Sequence, residues 1–148
     1  MKVRRATIDD ATAIAEFNIA MALETENKTL DSETINSGVK RVFSNDSLGF
    51  YLVAEIDGAV AGCLMITYEW SDWRDGLFWW IQSVYVAREF RCRGVFKALY
   101  RKVESLARED SSNCGIRLYV EKDNVHAQNT YSSLGMTQTD YRMFEALF

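Results

Sequence analysis

The stretch Gln82-Ser83-Val84-Tyr85-Val86-Ala87-Arg88-Glu89-Phe90-Arg91-Cys92-Arg93-Gly94-Val95-Phe96-Lys97-Ala98-Leu99 changes character twice. It begins apolar, passes through a basic loop and ends in helical spacing. Upstream, Leu77 to Val86 reads as a central strand buried on both faces. Downstream, Val95, Leu99, Val103 and Leu106 lie on one helical stripe. The loop between them sets Arg91, Arg93 and Lys97 around Gly94. A helix N-terminus presents unpaired N–H groups and a partial positive charge, which suits a phosphate. Glycine at its entrance would let that phosphate come close to the backbone. From these residues alone, a turn glycine in a solvated basic loop is the competing reading.

Outward from this junction the chain alternates between periods. Lys2 to Ala6 reads as a short strand, and Thr7-Ile8-Asp9-Asp10 has the form of a helix start. Ile14, Phe17 and Met21 extend a first helix from about Asp9 to Glu24. A polar connection, Glu24 to Lys28, precedes a second helix after Asp31 carrying Ile35, Val39, Val42 and Phe43. Phe50 to Ile56 and Val60 to Trp70 are strand-like runs joined at Asp57-Gly58, a strong hairpin signal. After the central strand and its helix come a strand at Ile116 to Val120, a helix from Val125 to Leu134 closed by Gly135, and a strand pair within Thr137 to Leu147. That order predicts one α/β domain of the α+β type over residues 1–148: a mixed, mostly antiparallel central sheet flanked by helices.

Composition sets the outer limits. A chain of 148 residues with 48% hydrophobic and 26% charged residues is long enough for its own core and too apolar for disorder. The net charge of −4 argues against a generic nucleic-acid partner. No apolar run approaches the length of a membrane span, and the Met1-Lys2-Val3-Arg4-Arg5 start lacks an apolar signal core. Cys63, Cys92 and Cys114 are odd in number and far apart, as expected of reduced thiols in a cytoplasmic protein. One histidine, His126, and no paired cysteines leave no metal-ligand pattern.

Arg91-x-x-Gly94-x-Phe96, preceded by Val84-Tyr85-Val86, resembles the Q/R-x-x-G-x-G/A signature of the GNAT superfamily of acyl-CoA-dependent N-acyltransferases. Asn124, Ala127 and Tyr131, followed by Leu134-Gly135-Met136, resemble that superfamily's second signature. The resemblance covers nearly the whole chain. Two departures stand out: Phe96 replaces a small residue, and Cys92 replaces a frequent glycine. The bulk of Phe96 must therefore point away from any phosphate.

The resemblance implies acetyl-CoA as co-substrate and a site laid out along these motifs. The strand edge Ser83, Val84, Tyr85 and Val86 would pair with the pantetheine arm by strand addition. Arg91, Cys92, Arg93, Gly94, Val95, Phe96 and Lys97 would hold the pyrophosphate, and Asn124 would bond the pantetheine near its reacting end. Tyr131 would be the general acid for the departing thiolate, and the Val84 N–H a donor to the thioester carbonyl. A phenol of reference pKa about 10 can give a proton to a thiolate whose conjugate thiol is near 8.5. Cys92 reads as incidental, since no base partners it.

The acceptor is less marked. Leu77 to Val86 contains no acid, so the carboxylates near a cleft would be Glu69, Asp72 and Asp75, or Glu24 and Glu26. Trp70, Trp73, Trp79 and Trp80 interleave with such acids, which suits a cationic amine by cation–π and Coulomb attraction. The same tryptophans suit a core or a homodimer face equally well. The expectation is a small, cationic primary amine bound through Glu24, Glu26, Asp72 and Asp75. The competing functions are an acyl-CoA-binding module without turnover and an interaction domain using the tryptophan patch.

Overall fold

The computed structural model describes all 148 residues, Met1–Phe148. They form two compact units, Met1–Leu118 and Tyr119–Phe148. The first holds five strands and three helices: β1 Lys2–Arg5, α1 Ala11–Glu26, α2 Ser32–Ser44, β2 Phe50–Ile56, β3 Ala59–Ser71, β4 Gly76–Val86, α3 Val95–Glu109 and β5 Asn113–Arg117. The second holds α4, Val125–Ser133. No helix is long and apolar enough to cross a membrane.

The sheet runs β1-β2-β3-β4-β5. The first four strands are mutually antiparallel and β5 lies parallel to β4, as the mixed sheet expected from the sequence requires. Alternation divides the sheet's faces. Tyr51, Val53 and Cys63 pack under Ile14, Ala15, Val39 and Val42 of α1 and α2. Leu52, Leu64 and Ile66 point the other way and are fully buried. α3 packs on that second face through Val95, Leu99, Tyr100, Val103 and Ala107.

Caps and ion pairs set the element ends. Asp31 caps α2, accepting from Thr34 N–H at 2.8 Å. Arg4 makes a two-pronged contact with Asp10 (2.7 and 2.9 Å) and reaches Glu55 at 2.6 Å. That contact joins β1, the turn entering α1 and β2, and it holds the Asp10 carboxyl below its ordinary range.

Three local expectations are corrected. The strand placed at Ile116 to Val120 lies at Asn113–Arg117, because Leu77 pairs with Asn113 as soon as the turn after α3 closes. That turn is tied by Asp110, whose carboxylate accepts from Ser112 N–H (2.9 Å) and Oγ (2.7 Å). Residues 137–148 form no strand, and Tyr141, Met143, Phe144, Leu147 and Phe148 are exposed. Finally, β4 is not buried throughout. Gln82 to Val86 are only half-buried, because β5 stops short of them.

Candidate functional site

The β3–β4 pairing is regular from Ser71↔Gly76 to Met65↔Gln82 and resumes at Cys63↔Tyr85. Leu64 therefore opposes both Ser83 and Val84, which is a β-bulge in β4. Ser83 carries the strain of it, with φ +50°. The extra residue reverses alternation, so Gln82 and Tyr85 both face the α1/α2 side. β5 pairs with β4 only from Leu77 to Trp80. Beyond Trp80, β4 has β3 as its sole strand neighbour. An extended ligand can add to that edge as a strand would.

β4 leads into a short turn, Arg88–Phe90, and then the entry to α3. Cys92 and Gly94 are both left-handed, with φ +61° and +76°. Such turns gather backbone N–H groups into an anion-binding concavity. The first bond within α3 is Ala98 N–H to Gly94 C=O, 3.0 Å, so the amides before it precede the helical ladder. A Cβ built on Gly94 meets nothing within 4 Å, which leaves the approach open. Arg93, over the Phe90 ring at 5.6 Å, and Lys97 supply positive charge, and both are exposed. Phe96 packs toward Tyr100, ring centroids 6.3 Å apart, so its bulk turns along the helix. These features fit a pyrophosphate.

Glu24, at the end of α1, is the anion of this corner. Its carboxylate accepts from Arg91 Nη2 (2.8 Å), Tyr85 Oη (2.8 Å) and Arg88 Nε (3.0 Å). Arg91 foremost, then Tyr85, hold its carboxyl down to about 2. Burial, and then the bond to Glu24, raise the Tyr85 phenol, so it stays protonated. Arg91 also donates to Val86 C=O at 2.9 Å and lies 5.4 Å from the Tyr85 ring centre. Phe17 of α1 packs on the same ring at 5.2 Å.

Below the bulge the α1/α2 face of the sheet is polar and aromatic. Gln82 donates through Nε2 to Thr67 Oγ1. Glu69 pairs with Arg117 and accepts from Trp80 Nε1 at 2.9 Å. Arg117 lies 3.6 Å over the Phe78 ring.

In the second unit, Asn124 caps α4, its side-chain oxygen accepting from Ala127 N–H at 3.1 Å. Its Nδ2 remains the donor for another partner. Tyr131 follows two helical turns later and is half-buried, and burial raises its phenol above the ordinary value.

The residues named for cofactor binding between Ser83 and Lys97 form one continuous run of edge, turn and helix start. The four acids named for the acceptor are not brought together. Glu24 is compensated by arginines, and Glu26 pairs with Lys28 at 2.6 Å. Asp72 and Asp75 sit at the tip of the β3–β4 hairpin, about 23 Å of strand from the bulge. The Glu69–Arg117–Trp80 cluster and the Gln82–Thr67 pair were not expected. The hairpin register carries the signal for both, since Ser71 to Gly76 as the turn places Thr67 and Glu69 on the face of Trp80 and Gln82.

The family model described as the acetyltransferase (GNAT) family matches residues 13–136. A protein described as an uncharacterized N-acetyltransferase in the pepI 3′ region of Lactobacillus delbrueckii subsp. lactis is 27% identical over 133 residues, covering 82% of this chain and 75% of its own. The crystal structure of a possible acetyltransferase from Clostridium difficile 630 superposes with a TM-score of 0.92 at 44% identity, covering 99% of this chain and 97% of that one. A Clostridium acetobutylicum structure, described as a predicted acetyltransferase with acetyl-CoA, has a TM-score of 0.78 at 16% identity over 98% and 95% of the two chains. The fold, the loop at the start of α3 and the family match over most of the chain agree, and this protein belongs to the GNAT family of acetyl-CoA-dependent N-acetyltransferases.

Proposed function

We propose that the protein transfers the acetyl group of acetyl-CoA to a primary amine of a small acceptor by direct attack. One observation carries the assignment of the cofactor site: the bulged, half-unpaired end of β4 runs straight into a left-handed basic turn that opens α3. The edge from Ser83 to Val86 binds the pantetheine arm as an added strand. The turn from Arg91 to Gly94, the first residues of α3 and Lys97 bind the pyrophosphate, with Arg93 and Lys97 as its free cations. The strained Ser83–Val84 corner turns the Val84 amide toward the thioester carbonyl oxygen, where it stabilises developing negative charge.

Acetyl-CoA supplies an activated acyl carbon. The neutral amine nitrogen bonds to that carbon, the carbon–sulfur bond breaks, the sulfur takes the hydroxyl proton of Tyr131, and the proton the nitrogen sheds returns through water to the phenolate. Asn124, through its free amide donor, orients the arm. Both assignments rest on their places in the second family signature, Asn124, Ala127 and Tyr131. The acceptor lies over Gln82 and Trp80, a polar and aromatic surface that suits a cationic molecule through cation–π attraction.

Isothermal titration with acetyl-CoA, followed by thiol release across an amine panel, tests the reading. Binding with turnover of at least one amine supports it. Binding without turnover of any amine leaves a CoA-binding module, and no binding removes the cofactor site.

A further inference from the structure

Direct attack needs the nitrogen lone pair, so an ammonium must lose its proton before it reacts. The sheet face leading to the bulge holds several titratable groups, and none is an unpaired carboxylate; Tyr51 of β2 stays protonated, because burial raises its phenol to about 12. Glu69 of β3 is paired with Arg117 of β5 and bonded by Trp80 of β4. Glu24 of α1 is held by Arg88, Arg91 and Tyr85. The Tyr85 hydroxyl is a donor to that carboxylate. The Cys63 thiol of β3 faces Ser83 C=O at 3.9 Å, and burial pushes it up to about 12, so it stays protonated. Gln82 stands beside the bulge, on the face it shares with Glu69 and Trp80. Its amide donates to Thr67 and leaves a carbonyl oxygen that can accept from an N–H but has no proton affinity near neutrality.

We propose that this face supplies a positioning amide and no general base, so the enzyme selects weakly basic amines, of which an α-amino group is the type, over lysine-like amines. The inference rests on the amine-acetylation reading and names its substrate class. The acceptor gives one proton to water before it binds in its neutral form. Gln82 orients it, nitrogen–carbon bond formation releases CoA with the Tyr131 proton on sulfur, and the nitrogen's second proton returns to the phenolate through water.

The consequence is a large discrimination. Reference values are 7.7–8.0 for an α-amino group and about 10.4 for lysine, so their neutral fractions at pH 7 differ by more than about 10². The greater nucleophilicity of the stronger base returns part of that, leaving a gap of about 10² in kcat/KM.

Thiol release by the full chain, followed from about pH 6 to 9, tests this with matched pairs such as Nε-acetyl-lysine amide and Nα-acetyl-lysine amide. The expected profiles rise tenfold per pH unit, and each bends only at its own amine's pKa. A bend at one pH shared by both amines reveals a protein base and overturns the inference, as does equal or faster turnover of the ε-amine at pH 7. Acetyl-CoA binding with no thiol release from any amine overturns the acetylation reading itself, and the substrate class falls with it.

Discussion

At Gly94 the backbone is left-handed, φ +76°, and space is open around the missing Cβ. Any side chain there costs about 1–2 kcal/mol of backbone strain, but only an acidic one repels phosphate. Gly94→Ala and Gly94→Glu should therefore lose similar stability in urea, while Gly94→Glu alone abolishes acetyl-CoA binding. Retained affinity in the folded glutamate variant would remove the pyrophosphate assignment. Tyr131 invites the complementary test. Burial raises its phenol, which keeps the proton in place for delivery to sulfur. Tyr131→Phe keeps the ring and removes only the hydroxyl, so kcat should fall by about 10²–10⁴ with acetyl-CoA affinity and thermal stability nearly unchanged. Near-normal kcat would assign the proton to another donor, and lost stability alongside lost activity would make the residue a packing one.

Elements meet at the end of α1, where Glu24 ties that helix to the end of β4 and to the turn before α3. Its carboxyl is held at about 2, against 4.5 for a free one, so the charged form is the favoured one in the fold. The contribution is complete above about pH 4.5 and disappears as pH falls toward 2. Urea midpoints of the wild type and Glu24→Gln should thus differ at neutral pH and converge across that window. A gap that persists at the acid end would mean the carboxylate is not the stabilising group. This corner was half legible in the sequence. The basic loop, Gly94 and the helix behind it declare themselves through composition and the 3.6-residue period, which are local properties. The partner of Arg91 does not, because Glu24 lies 67 residues away and only the packing of α1 on β4 brings them together. The bulge was hidden for a similar reason. An extra residue in β4 is visible only against β3, and Gln82-Ser83-Val84 has no glycine to announce it. The misplaced strand pair at the C-terminus shows the opposite failing, since strand-like residues without a neighbouring strand form none.

Across the whole molecule, charge opposes the substrate that the loop is built to hold. The chain carries a net charge of −4, and a CoA phosphate is an anion, so their long-range interaction is repulsive. Side-chain attraction at the loop comes from Arg88, Arg91, Arg93 and Lys97, and Glu24 already engages two of those cations. Arg93 and Lys97 then carry most of the phosphate's Coulomb attraction from exposed positions, where salt screens it within about 10 Å at 0.1 M. Acetyl-CoA affinity should accordingly weaken several-fold as sodium chloride rises from about 0.05 to 0.5 M, despite the chain's negative charge. Arg93→Met should weaken binding at low salt and flatten that dependence, leaving wild type and variant nearly equal at high salt. Titrations at three salt concentrations suffice. A steep dependence that survives Arg93→Met unchanged would move the phosphate contact to Lys97 and the arginines beside Glu24. No dependence in the wild type would mean that backbone amides hold the phosphate with no help from side-chain charge.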